Sequence, residues 1–230
     1  MIIVNSNDAD RLHQYQIVCH HVRKTEDNWI YLPEAAAPRG LLTFSIGGDK
    51  NEIVITGSHL PIGTIHLVES ASRAEICCNS EVNLMELWLY GRSKFRLGEC
   101  RAVFGLHAWV YNDTMLSIGK NCLISDQVRM RTSDHHSIID LATRAQINFP
   151  GDICLKDQVW IGQGVTVLKG VEIGEGSIVA SSALVTGSIP RTELWGGVPA
   201  KCLRRNVSWV ASHPAVASDV EAMAWSLGLS

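Results

Sequence analysis

Residues 155–184 read LKDQVW, IGQGVT, VLKGVE, IGEGSI and VASSAL. An aliphatic residue opens each phrase and Val185 opens the next, so Leu155, Ile161, Val167, Ile173, Val179 and Val185 stand six apart. Four positions after each of the first five comes a small or β-branched residue: Val159, Val165, Val171, Ser177 and Ala183. A half-buried strand repeats every second residue and a helix every 3.6, and neither holds an aliphatic set at a strict six. At roughly 30% aliphatic residues per position, such phasing arises by chance well under about one time in a hundred. A coil of short parallel strands does account for it. If each hexad forms one flat side of a three-sided prism, its first residue points inward on every side and small residues fill the corners. Gly162, Gly164, Gly170, Gly174 and Gly176 suit turns that call for positive φ. Stacked coils then bury an aliphatic column that no single coil could bury alone.

The same phase occurs earlier, at Ile118, Ile124 and Met130 in IGKNCLISDQVRMR. From Met130 to Leu155 is 25 residues, one more than a multiple of six, so the prism is interrupted between them. The polar stretch at 132–152 is the expected excursion, and long loops leaving a rigid scaffold are where function tends to sit. Upstream, Leu97, Val103 and Trp109 keep the spacing of six, and NEIVITG and AEICCNSEVNLMELWLYG look strand-rich. The expected organisation is an irregular N-terminal cap over 1–50, a parallel β-helix over 51–190 whose first coil starts between residues 40 and 60, and a tail over 191–230 ending in a short helix within PAVASDVEAMAWSL. The fold class is all-β dominated.

The 230 residues are 46% hydrophobic and 19% charged, enough for one domain with a sizeable core. A formal charge of −3 provides no general basic field for nucleic acid or anionic lipid, so any anion site must be built locally. The seven cysteines show no CxxC spacing and read as buried structural thiols. No stretch approaches the ~18 apolar residues of a membrane span. A cytoplasmic protein that neither inserts into membranes nor binds nucleic acid is expected.

Four segments, IGKNCLIS at 118–125, TSDHHSIID at 132–140, VWIGQGVTVLKGVEIGEGSIVASSALVT at 159–186 and GGVPAKCLRR at 196–205, resemble the hexapeptide-repeat acetyltransferases. The resemblance covers roughly residues 110–205 and is to the galactoside, xenobiotic and capsular polysaccharide O-acetyltransferase branch. It implies a left-handed prism, an exception to the right-handed crossover rule. It further implies a homotrimer with active sites at subunit interfaces, acetyl-CoA as co-substrate, a glycan or small-molecule acceptor and no metal.

Moving acetyl from a thioester to a hydroxyl requires removal of the hydroxyl proton as the oxygen attacks, a task suited to imidazole. The family pattern of aspartate, any residue, histidine, any residue, isoleucine falls on Asp134, His135, His136, Ser137 and Ile138, which selects His136 as general base. Its 24-residue separation from Trp160 is similar to the family's spacing, whereas matching the family forward from Ile118 without a gap lands on His135. Asp134 is the candidate to fix the imidazole tautomer, with Asp140 or a backbone carbonyl as alternatives. By the same resemblance Trp160 lies against the pantetheine arm, and Gly162, Ser181, Ser182 and Thr186 run beside it. Lys201 and Arg204 match cationic positions near the nucleotide phosphates, with Arg205 adjoining.

The chain departs from the family at Gly187, where a lysine is usual, and at Ser181–Ser182, where alanine and glycine are usual. Gly105, with His107 nearby, occupies the place of an acceptor-binding asparagine. Arg129 and Arg131, just before the excursion, are either anchors for an anionic sugar or solvated surface charges. The leading expectation is O-acetylation of a sugar or polysaccharide hydroxyl, of the capsule, O-antigen or sialic-acid type. The alternatives are N-acetylation of an amino sugar, a small-molecule acetyltransferase, a metal enzyme on the same prism, and a non-catalytic scaffold.

Overall fold

The computed structural model describes residues 1–22 and 26–229. It is a three-sided left-handed parallel β-helix closed by a C-terminal strand pair and helix. In chain order, the first face carries strands such as Lys94–Leu97, Met115–Ile118 and Ile153–Leu155, the second Leu123–Ile124, Trp160–Ile161 and Ile178–Val179, and the third Leu106–Val110, Val128–Arg131 and Thr166–Val167. The hexad openers from Leu155 to Val185 all point into the prism and are buried. So are Val159, Val165, Val171, Ser177 and Ala183, because residues two apart on a strand share a face.

The coils have two circumferences. Below the excursion, Leu155 pairs with Ile173, Ile161 with Val179 and Val167 with Val185, each 18 residues on. Above it, Arg73, Lys94 and Met115 stack in register 21 residues apart. The extra length falls on the third face, where Leu42–Ile46, Ile62–Leu67 and Leu106–Val110 run five or six residues against two in Thr166–Val167 and Leu184–Val185. Corner residues in the left-handed region keep both periods: Lys50, Ala71, Arg92 and Asp113 above, and Gln158, Gly164, Gly170, Gly176 and Ser182 below.

This corrects one expectation. Trp109, placed in the inward phase by counting sixes, lies on the outer surface of the third face, and Ala108 and Val110 fill the core on either side of it. The stacking also begins upstream of the expected edge. Ile17–His21 already pairs in parallel with Leu42–Ile46, and Trp29–Leu32 with Glu52–Thr56. The stretch expected to be an irregular cap thus supplies coil strands, preceded by strand Ile2–Asn5 and helix Ala9–His13.

At the corner between the third and first faces runs a column of buried polar residues: Asn28, Asn51, Ser72, Ser93, Thr114 and Thr132. Asn28 accepts from the backbone and side-chain amides of Asn51, Asn51 accepts from the backbone of Ser72, and the Ser72 and Ser93 hydroxyls meet at 3.2 Å. The Thr114 hydroxyl donates to Thr132 Oγ1 at 2.7 Å. Hydroxyls and amides in this column supply partners for polar groups that the corners remove from water. Thr132 ends the column, and the excursion starts there.

The C-terminal helix is Ala217–Ser226, where the sequence places it. Ahead of it, buried Trp209 donates to the Gln158 carbonyl at 2.7 Å and accepts from the Gln158 side chain at 3.1 Å, pinning the tail to the second face. Among the described residues no helix is long and apolar enough to cross a membrane.

Candidate active site

The excursion is a tethered hairpin. At its neck, Gly151 N donates to Thr132 O at 2.9 Å, while Thr132 Oγ1 accepts from Tyr111 N. Further out, Ile147 N donates to Ile138 O, and Ile139 bridges Gln146 in antiparallel sense. Asp140 caps the tip, accepting from the amides of Ala142 and Thr143 and from the Thr143 hydroxyl. These bonds hold its carboxyl below the ordinary carboxylate range, the Thr143 backbone amide foremost. Asp140 therefore shapes the turn and does not reach an imidazole.

Asn148 spans the hairpin to hold the segment bearing the histidines, where the Ser133 hydroxyl also accepts from His135 N at 3.1 Å. Asn148 Oδ1 accepts from Ile138 N at 2.6 Å, and its Nδ2 donates to His136 O and to Asp134 Oδ2, both at 2.8 Å. Asp134 also pairs with Lys169 from the coil beneath. Its carboxyl is lowered chiefly by the Lys169 bond, then by Asn148. Asp134 thus ties the hairpin to the prism through Lys169 and Asn148, and its bonding partners are these rather than a histidine ring. Asn148→Ala removes three bonds that run across the hairpin. It should speed amide exchange at Ile138 and leave the thermal midpoint within a few degrees, which hydrogen exchange and melting curves would read.

His135, in the left-handed region, packs its ring against Tyr111 at 5.2 Å and Tyr90 at 5.9 Å. His136 meets His135 edge-on at 4.9 Å and stands on the solvent side. Together with Asp134, Tyr90, Trp109, Tyr111 and Arg131 they line a cleft of about 280 Å³. Partial burial raises both tyrosine hydroxyls above their ordinary value, so they are protonated donors at neutral pH.

The cofactor candidates lie elsewhere on the prism. Trp160 sits on the second face, 37% exposed and 6.0 Å from the Trp209 ring. Gly162, Ser181 and Ser182 follow at the corner between second and third faces. A Cβ on Gly162 would come within 2.7 Å of Ser181 N, so stacking of the two coils itself demands glycine there. Thr186 and Gly187 occupy the corner between third and first faces, below the excursion, and a Cβ on Gly187 would meet open space. Lys201 and Arg204 are exposed on strand Lys201–Arg205, antiparallel to Glu193–Gly196. Arg205 is bound to Glu193 at 3.1 Å, whereas Lys201 and Arg204 have no carboxylate partner among the described residues. The structure therefore groups His135, His136 and Asp134 in one cleft and Trp160, Gly162, Ser181 and Ser182 on the far side of the third face.

Sequence reasoning missed Asn148, Lys169, Tyr90 and Tyr111. The tyrosines lie 21 residues apart, a period hidden beneath the search for six. Asn148 stands in INFP with no signal that its side chain reaches back across the hairpin.

Residues 155–187 match the family described as bacterial transferase hexapeptide (six repeats), and the chain carries the hexapeptide repeat of those transferases. Among individual proteins, it is 36% identical over 100 residues to the polysialic acid O-acetyltransferase of Escherichia coli O1:K1 / APEC, covering 44% of this chain and 33% of that protein. It is 31% identical over 96 residues to the galactoside O-acetyltransferase of Escherichia coli (strain K12), covering 41% of this chain and 46% of that protein. The chain thus spans a third to a half of the length of these curated relatives. The crystal structure of the polySia specific acetyltransferase NeuO superposes with a TM-score of 0.81 over 94% of this chain and 99% of that one, at 22% identity, and shares its fold.

Proposed function

We propose that this protein is an acetyl-CoA-dependent O-acetyltransferase that modifies a hydroxyl of a sugar or polysaccharide, with His136 as general base. The observation that carries this reading is the tethered hairpin, which presents His136 over a cleft on a hexapeptide β-helix. The relatives' names point to polysaccharide and galactoside acceptors.

Acetyl-CoA would supply an acetyl thioester. The chain fits it: Lys201 and Arg204 are cations without carboxylate partners for the phosphates, Trp160 is an exposed aromatic for the pantetheine arm, and Ser181 and Ser182 are small exposed corner residues. His136 takes the proton from the acceptor hydroxyl as the oxygen attacks and returns it to the leaving sulfur. Asn148 and Asp134 hold the backbone that carries this imidazole.

The reading includes a homotrimer. His136 leaves the prism at the corner between third and first faces, whereas Trp160, Gly162, Ser181 and Ser182 lie at the opposite edge of the third face. A neighbouring copy brings a second hairpin to that edge. The hairpin also exposes Leu141 (92%), Phe149 (67%), Ile138, Ile139 and Ile147, an apolar surface suited to a subunit contact. The seven cysteines are free, in keeping with a reducing cytoplasm.

Incubation with acetyl-CoA and a panel of oligosaccharides should give ester-linked acetyl products by mass spectrometry, labile to mild base. Amide-linked products, or none across the panel, would overturn the O-acetyltransferase reading.

A further inference from the structure

Four outward side chains of the third face stand in register on successive coils: His66 beside Trp88, Trp88 beside Trp109, and Trp109 beside Arg131. The His66 and Trp88 rings stack at 3.6 Å and 8°. One step along the strands, Tyr90 and Tyr111 stack at 4.7 Å and 10°, and Tyr111 touches the His135 ring. With neighbouring strands ~4.8 Å apart, the column from His66 to Arg131 is about 14 Å long, more than one sugar ring can occupy. It leads into the cleft at His136.

Arg131 lies over the Trp109 ring, its guanidinium carbon 4.5 Å from the centroid. It has no carboxylate partner among the described residues. A guanidinium held by its face keeps its in-plane N–H donors free for a planar anion, and a carboxylate takes two of them at once. The neighbouring charges leave the cation uncompensated. Asp134 is engaged by Lys169, Glu86 lies one column away beside His107 and Trp88, and Arg129 adds a second exposed cation. Aromatic rings offer the apolar faces of sugars a surface, and the tyrosine hydroxyls add donors.

We propose that this column is the acceptor track, on which an extended carboxylate-bearing oligosaccharide lies from Trp88 down to His136, a sugar carboxylate seated on Arg131. The proposal rests on the acetyltransferase reading and specifies its acceptor as acidic and polymeric. It also gives a use to the three added residues per upper coil, because they fall on the face that carries the track.

Calorimetric titration of the full chain with a sialic acid oligomer and with its carboxyl-reduced form, without acetyl-CoA, tests it independently of turnover. The acidic oligomer should bind more tightly than the reduced one. Arg131→Gln should weaken the acidic form about tenfold or more while leaving the reduced form unchanged, and Arg131→Lys should recover part of the loss. Trp88→Ala should weaken a long acidic oligomer but not a dimer. Equal binding of the two forms, wild-type affinity in Arg131→Gln, or no binding at all would overturn the track. So would a Trp88→Ala variant that changes the oligomeric state by light scattering yet binds oligomer normally, since the face would then belong to a second copy. Acetylation of an acidic oligomer undiminished in Arg131→Gln sinks the track and spares the enzyme. Absence of transfer to any acceptor sinks the enzyme, and the titration still judges the track.

Discussion

His136→Ala is expected to reduce acetyl transfer by about 10²–10⁴-fold, the usual contribution of a positioned general base. Among the described residues the side chain has no hydrogen-bond partner, and it stands on the solvent side of the hairpin. Its loss should therefore leave the fold untouched, and acetyl-CoA should shift the thermal midpoints of variant and parent by the same amount. His135→Ala provides the contrast. It removes packing against Tyr90 and Tyr111 and should cost less activity than His136→Ala. Turnover retained in His136→Ala but lost in His135→Ala would transfer the base to the neighbour. The same variant probes the subunit arrangement. Co-assembly of His136→Ala with Trp160→Ala chains should restore activity above either alone, because a base from one copy then meets a groove from another. Failure to complement would place both halves of the site in one chain.

Phe95→Ala is expected to destabilise the protein by about 3–5 kcal/mol. Phe95 is buried on the first face, in register with Ala74 on the coil above and Leu116 on the coil below. The small Ala74 makes room for the ring, so alanine at 95 would leave two methyls facing a void. The coils on either side are fixed by parallel ladders and cannot close it, which puts the cost toward the upper part of that range. Phe95→Leu keeps most of the volume and should cost less than about 1.5 kcal/mol. Denaturant unfolding at several protein concentrations separates this loss from any change in assembly. A cost below about 1 kcal/mol for the alanine variant would mean that the upper coils do collapse around the gap.

The lower half of the solenoid was legible because each hexad puts one aliphatic at a fixed phase, and every one of those residues is buried. The upper half was not. Its 21-residue coils break the phase of six after each turn, which is why Trp109 was read as inward. The left-handed corners that mark this longer period are Lys50, Ala71, Arg92 and Asp113, none of them glycine. The stacked pairing of the coils fixes their φ and overrides local preference. In the candidate site, His136 and Asp134 could be named from a short linear pattern. The contacts of Asn148 and Lys169 could not, since each depends on where the hairpin folds back: Asn148 is 12 residues from His136, and Lys169 is 35 from Asp134.

The change of circumference divides the chain into two parts with separate freedom to vary. A short insertion in a third-face strand above the excursion lengthens one side of a coil and leaves the hexads below in phase. Duplication or loss of a whole 21-residue coil would likewise lengthen or shorten the upper prism without shifting a corner of the lower one. The wide half can accordingly gain or lose whole turns while the narrow half keeps its corners in phase.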